Sequence, residues 1–203
     1  YRRGRKTTHN HYGEDMGILA GDALLNYAFE TAALAFDEED ADCAKVGKAF
    51  QVLARKSGIY GMIGGQVVDV KESGHAVSGE VLDFIYRLKT SALIEASMMA
   101  GAILAGADED AVRTIEDVAG KIGLAFQIQD DILDVTSTEE TLGKPVLSDE
   151  KNQKTTYVTL EGLEKAKDDV ARISERAKER LMTLPGEKEF LGEIIAMLVD
   201  REN

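Results

Sequence analysis

The sequence predicts an all-α fold, one domain built as a bundle of six or more helices. Only two prolines interrupt 203 residues, and Ala, Leu, Ile, Glu, Lys and Asp abound, a mix that favours helix. No stretch shows the apolar–polar alternation of a half-buried strand, and no repeat period is present. The chain is 44% hydrophobic and 30% charged, which makes it globular rather than disordered and long enough for one sizeable core. That domain is expected to span residues 1–203.

Residues 1–13 read as a loop, and roughly 14–36 as the first helix. The stretch MGILAGDALLNYAFETAALAF (16–36) could span a bilayer by count alone. Asp22, Asn26 and Glu30, each four apart, draw one polar stripe along it. That pattern predicts a buried amphipathic helix and no membrane span. DEEDAD (37–42) reads as an acidic turn or helix cap before a helix at roughly 43–57. The glycine-rich but apolar run 57–74 reads as a helix packed closely on its neighbours, ending near Gly74. A long helix is expected at 79–105, broken by GADED, and another at 109–135. Residues 136–154, polar and holding Gly143 and Pro145, read as a mobile loop. Helices at roughly 155–182 and 187–201 follow, separated by Leu184-Pro185-Gly186.

A net charge of −13 argues against a general nucleic-acid binder, which shows a basic stripe. Cys43 is the only cysteine, which leaves no intrachain disulfide and no cysteine-rich zinc site. A reducing, cytoplasmic setting is the expected one. There is no GxSxG and no Walker A loop.

FQIQDDILDV (126–135) sets three aspartates into an apolar run. On a helix, Asp130 and Asp134 are four apart and Asp131 and Asp134 three apart, so all lie on or near one face. Clustered carboxylates resist ionising together, so water, basic side chains or a divalent cation must compensate. Oxygen-only ligands select a hard cation, and magnesium shares its carboxylates with waters and substrate phosphates. Gln127 sits one turn earlier on the same side. Lys144 and Lys154 follow in the next loop as point charges suited to phosphate oxygens, or as plain surface lysines. Lys89 and Thr90 lie inside an apolar helix, where the lysine needs an anionic ligand, an acidic helix or a path to solvent. Arg2-Arg3-Gly4 can fork onto phosphates or be solvated, and GGQVVD (64–69) sets Gln66 and Asp69 three apart. His9 and His11 lack a nearby carboxylate to complete a metal set. Opposite charges that face one cavity would hold a metal–diphosphate.

The order of these motifs is informative. RRG, T-x-x-H, GEDMGILAGDALL, GMIGGQVVD, the KT of RLKTSAL, and GLAFQIQDDILD followed by LGK resemble the trans-isoprenyl diphosphate synthases, bacterial farnesyl diphosphate synthases above all. The resemblance runs through essentially the whole chain. It implies a class I isoprenoid-synthase-type helical bundle, a homodimer, and condensation of isopentenyl diphosphate with an allylic diphosphate. It implies Mg2+ held directly or through water by Asp130, Asp131 and Asp134. Arg2, Lys89, Lys144 and Lys154 would hold the allylic diphosphate, Arg3 the isopentenyl diphosphate, and Thr90 and Gln127 would line the reacting carbons. The family's first aspartate-rich motif lies just before its RRG, and this sequence begins at Tyr1. The parent protein is therefore expected to be longer. The resemblance makes farnesyl diphosphate the expected product, with geranylgeranyl diphosphate the alternative; a terpene cyclase, a non-catalytic subunit of a heteromeric synthase and a plain helical interaction protein are the rival readings.

Overall fold

The computed structural model describes residues 1, 4–137 and 154–199. Among these, every regular element is helical. In chain order they are α1 (Thr8–Tyr12), α2 (Glu14–Ala33) with a 3₁₀ turn at Leu34–Phe36, α3 (Cys43–Ser57), α4 (Met62–Lys71) and α5 (Gly79–Tyr86). A π-helical turn (Arg87–Ser91) then runs into α6 (Ala92–Leu104), followed by α7 (Glu109–Thr136), α8 (Tyr157–Glu161), α9 (Leu163–Met182) and α10 (Glu189–Val199).

The helix starts are set locally. Asp42, the last residue of the acidic run, accepts the N–H groups of Ala44 and Lys45 at 3.1 and 3.2 Å and so caps α3. Asp108, in the GADED break, caps α7 through the Ala111 N–H at 2.8 Å. Thr156 and Thr159 form a reciprocal capping pair at the start of α8.

The 28-residue α7 is the axis of the bundle. Ile115, Val118, Ile122, Ala125, Ile128 and Ile132 recur at helical spacing and are buried. Toward its start they pack with Met99 of α6, Ala177 and Leu181 of α9, and Ile195 of α10. Toward its end they pack with Leu82, Ile85 and Tyr86 of α5, and Ala166 and Val170 of α9. Burying each isoleucine contributes about 2–3 kcal/mol, so the end of α7 that carries the aspartates is anchored from two sides.

Four expectations are corrected. Residues 8–12, read as loop, form a short helix. The 155–182 helix is two helices, broken at Gly162, whose φ of 86° only glycine adopts without strain. The 79–105 helix is interrupted by the π turn, because Gly65 and Gly123 let two neighbours press on it. And α2, expected to be buried, has no buried residue, with Ile18, Leu19, Leu24 and Tyr27 exposed. It meets the bundle only in part, with Phe29 edge-on to Phe50 of α3. No described helix is long and apolar enough to cross a membrane. The expected 136–154 loop falls, for residues 138–153, outside the described residues.

Candidate diphosphate and metal site

The site is built on the π turn. An i→i+5 turn inside an α-helix is rare and marks a functional position more often than chance. Here it is pressed from two sides. A Cβ on Gly65 of α4 would overlap the backbone nitrogen of Lys89 and lie 2.8 Å from Leu88 Cβ. A Cβ on Gly123 of α7 would lie 2.5 Å from Ser91 Cβ. The fully buried Ser91 donates its hydroxyl to the Tyr86 carbonyl at 3.2 Å.

Successive residues of the turn then reach different helices. Lys89 Nζ donates to Asp69 Oδ2 of α4 at 2.6 Å. Thr90 Oγ1 donates to the Gln127 side-chain oxygen on α7. Lys154, on the far side of the undescribed segment, reaches the other oxygen of Asp69, Oδ1, at 2.9 Å. Two of the lysines singled out in the sequence therefore converge on one carboxylate. Burial alone would push the Asp69 pKa up, but the hydrogen bonds and charges of Lys89 and Lys154 outweigh it and hold it below the usual carboxylate range. Beside the lysine, Met62, Ile63, Gln66, Val67, Val70, Lys71, Lys89 and Thr90 line a mainly apolar groove of about 620 Å³.

Three residues after Gln127 begins the acidic end of α7. Asp131 and Asp134 are buried and Asp130 is half-buried. Asp131 Oδ2 accepts the Tyr86 hydroxyl and, at 2.7 Å, the Tyr157 backbone N–H at the first turn of α8. Tyr157 is fixed in turn by its hydroxyl, which donates to Asp169 Oδ2 at 2.6 Å. Lys165, Tyr157 and Arg172 all donate to Asp169 and hold its pKa well below the carboxylate range. Among the described residues no three His, Cys, Asp or Glu side chains converge as a metal site. The three aspartates are oxygen donors of the kind that a hard cation takes.

Of the residues singled out in the sequence, Lys89, Thr90, Gln127 and Lys154 are brought together by the turn, by α4 and by α7. Arg2, Arg3 and Lys144 lie outside the described residues. His9 and His11 sit on α1, with His9 only 3.4 Å from the Thr7 hydroxyl. Three features went unread in the sequence. Tyr86 and Tyr157 carried no signal, because a tyrosine in an apolar helix reads as core. The Lys56–Glu95–Glu116 network ties α3, α6 and α7 together, with Lys56 Nζ donating to Glu95 and, at 2.6 Å, to Glu116. It joins residues 39 and 60 positions apart, a separation that no local pattern betrays.

A helical bundle whose axial helix ends in paired aspartates, beside a lysine-bearing π turn, is an isoprenoid-synthase-type fold. The chain belongs to the polyprenyl synthetase family, whose model matches residues 1–190. It is 42% identical over 204 residues to geranylgeranyl diphosphate synthase of Cyanophora paradoxa, covering 100% of this chain and 67% of that protein. It is 38% identical over 202 residues to farnesyl diphosphate synthase of Geobacillus stearothermophilus, covering 100% of this chain and 68% of that one. Its structure is similar to that of geranyltransferase from Helicobacter pylori complexed with magnesium and isoprenyl diphosphate, with a TM-score of 0.79 and 32% identity, covering 98% of this chain and 64% of that one. The chain thus spans about two thirds of the length of these relatives.

Proposed function

We propose that the protein is a short-chain prenyl diphosphate synthase that joins isopentenyl diphosphate to an allylic diphosphate, dimethylallyl or geranyl, with farnesyl diphosphate as product. The observation that carries this reading is the convergence of Lys89 and Lys154 beside an apolar groove, one helix away from the paired aspartates. A cationic patch next to an apolar trough suits a molecule with a diphosphate head and a hydrocarbon tail. Lys89 and Lys154, with Arg2 and Lys144, hold the allylic diphosphate and stabilise it as it leaves. Arg3 orients the isopentenyl diphosphate. Asp130, Asp131 and Asp134 hold Mg2+, which when bound neutralises the diphosphate and assists its departure. Thr90 and Gln127 present fixed dipoles to the positive charge that develops at the allylic carbon. The double bond of isopentenyl diphosphate attacks that carbon, and the departing diphosphate takes the proton. The apolar walls of the groove exclude water that would otherwise quench the cation.

A cytoplasmic homodimer is the assembly proposed, supported by the exposed apolar residues of α2. A second product is favoured by one observation: the 42%-identical relative over the whole chain is a geranylgeranyl diphosphate synthase. The experiment is turnover of isopentenyl diphosphate with geranyl diphosphate and magnesium by the full-length protein, with products separated by chain length. A C15 product supports the farnesyl reading and a C20 product the geranylgeranyl one. Condensation that needs no isopentenyl diphosphate, or no condensation at all, overturns both. Asp130→Ala should cut turnover at least ~100-fold with the helical spectrum unchanged.

A further inference from the structure

Asp69 stands apart from the residues that would meet substrate. Its side chain is only 8% exposed, whereas those of Lys89 and Lys154 are 31% and 35% exposed. The lysines form the rim and Asp69 the floor beneath them. Oδ2 accepts a hydrogen bond from Lys89 at 2.6 Å, and Lys154 Nζ lies 2.9 Å from Oδ1 as an ion pair.

Lysine is a compact charge on a flexible stem, and it must lose rotamer freedom before it can hold an anion in one place. Two ammoniums side by side also repel. One carboxylate between them removes both obstacles: it screens the repulsion and fixes the two nitrogens at a set spacing before a ligand arrives. Asp69 is itself held firm. It is buried on α4, one turn after Gly65, whose lack of a side chain lets the α4 backbone lie against Lys89.

We propose that Asp69 is a positioning residue of the diphosphate site, a buried carboxylate that acts through Lys89 and Lys154 and does not touch the substrate. This rests on the synthase reading for the identity of the ligand, but not for the geometry. The opposite role is a competing counter-ion that a diphosphate must displace, and the two differ in sign. Removing a positioning carboxylate weakens anion binding, whereas removing a competitor strengthens it.

The test is Asp69→Asn in the full-length protein, with inorganic pyrophosphate and magnesium titrated by calorimetry and turnover measured alongside. The expected result is ~10–100-fold weaker pyrophosphate binding, a fall in kcat, and an unchanged helical spectrum. In a Lys89→Met, Lys154→Met background the same substitution should change pyrophosphate affinity less than about twofold, an outcome that a merely structural role would not give. Pyrophosphate binding that is equal or tighter in Asp69→Asn overturns the proposal, as does an undiminished effect in the background without the lysines. Should Asp69→Asn not fold, Asp69→Glu retains the charge but moves it by one methylene. It should bind at least threefold more weakly, and wild-type affinity there overturns the proposal. Wild-type protein that binds pyrophosphate without condensing its substrates defeats the synthase reading alone. Failure to bind pyrophosphate at all defeats both.

Discussion

The Tyr86 hydroxyl donates to Asp131 Oδ2 across the contact between α5 and α7. The same oxygen accepts the Tyr157 N–H at 2.7 Å, so two helices outside α7 decide which way this carboxylate faces. Hydrogen-bond partners of this kind orient metal-binding carboxylates, and their loss costs about 10–100-fold in metal affinity. Tyr86→Phe keeps the ring in the core and removes only the donor. Magnesium titrated into the pyrophosphate complex should show about tenfold weaker affinity, with a Tm within a few degrees of wild type. Unchanged magnesium dependence would mean that the Tyr157 N–H suffices.

Gly123→Ala should be among the most damaging small substitutions in the protein. The added methyl would meet Ser91 at 2.5 Å, at the point where α7 presses on the π turn. Overpacking of this sort costs about 1–3 kcal/mol, which for a chain of this size lowers Tm by about 2–4 °C per kcal/mol. A thermal melt followed by circular dichroism measures it. Gly21→Ala, where an added Cβ meets nothing within 4 Å, is the matched control and should not lower Tm.

Asp169 supplies an acid-labile part of the stability. Hydrogen bonds from Lys165, Tyr157 and Arg172 hold its folded pKa below the unfolded value near 4. The contribution is therefore present above about pH 4 and is lost as pH falls through the carboxylate range toward the folded pKa. Asp169→Asn should cost about 1–2 kcal/mol at pH 7, because Lys165 and Arg172 are half exposed and partly screened. Melts recorded from pH 7 to pH 2 should show the two proteins drawing together at the acid end.

Lys56 should matter for stability rather than turnover. Burial would lower its pKa, but Glu116 and Glu95 outweigh that and raise it. Lys56→Met leaves the buried Glu95 without its cation, at a cost of about 3 kcal/mol. Adding Glu95→Gln should restore a good part of that loss. Urea denaturation of the single and double variants gives both numbers.

The fold was largely legible. Helix spacing placed α3 at 43–57 to the residue, because Asp42 caps it and an apolar stripe fills it. The starts of α5 and α7 also fell where expected, at 79 and 109, and in the structure Ser78 and Asp108 cap them. The π turn was not, because RLKTS has the composition of any helix and the cause lies elsewhere, in glycines 65 and 123 that permit close approach. Lys89 was read as needing an anionic ligand, an acidic helix or a path to solvent, and Gln66 and Asp69 were noted three apart, but that Asp69 answers Lys89 depends on how α4 lies against the turn. The same holds for Tyr86 and Asp131, 45 residues apart. Pairings across helices were not legible.

The π turn also has a bearing on how this segment can change. Because an i→i+5 turn takes in one residue more than an α-turn, α5 and α6 are two helices counted from different starting points. Tyr86 is placed for Asp131 by the first count, and Ser91 for Gly123 by the second. Deleting one residue between 87 and 91 would give an unbroken α-helix that satisfies only one of these counts. Point substitutions can therefore tune this stretch, while a change in its length would force either the carboxylate or the helix crossing out of place.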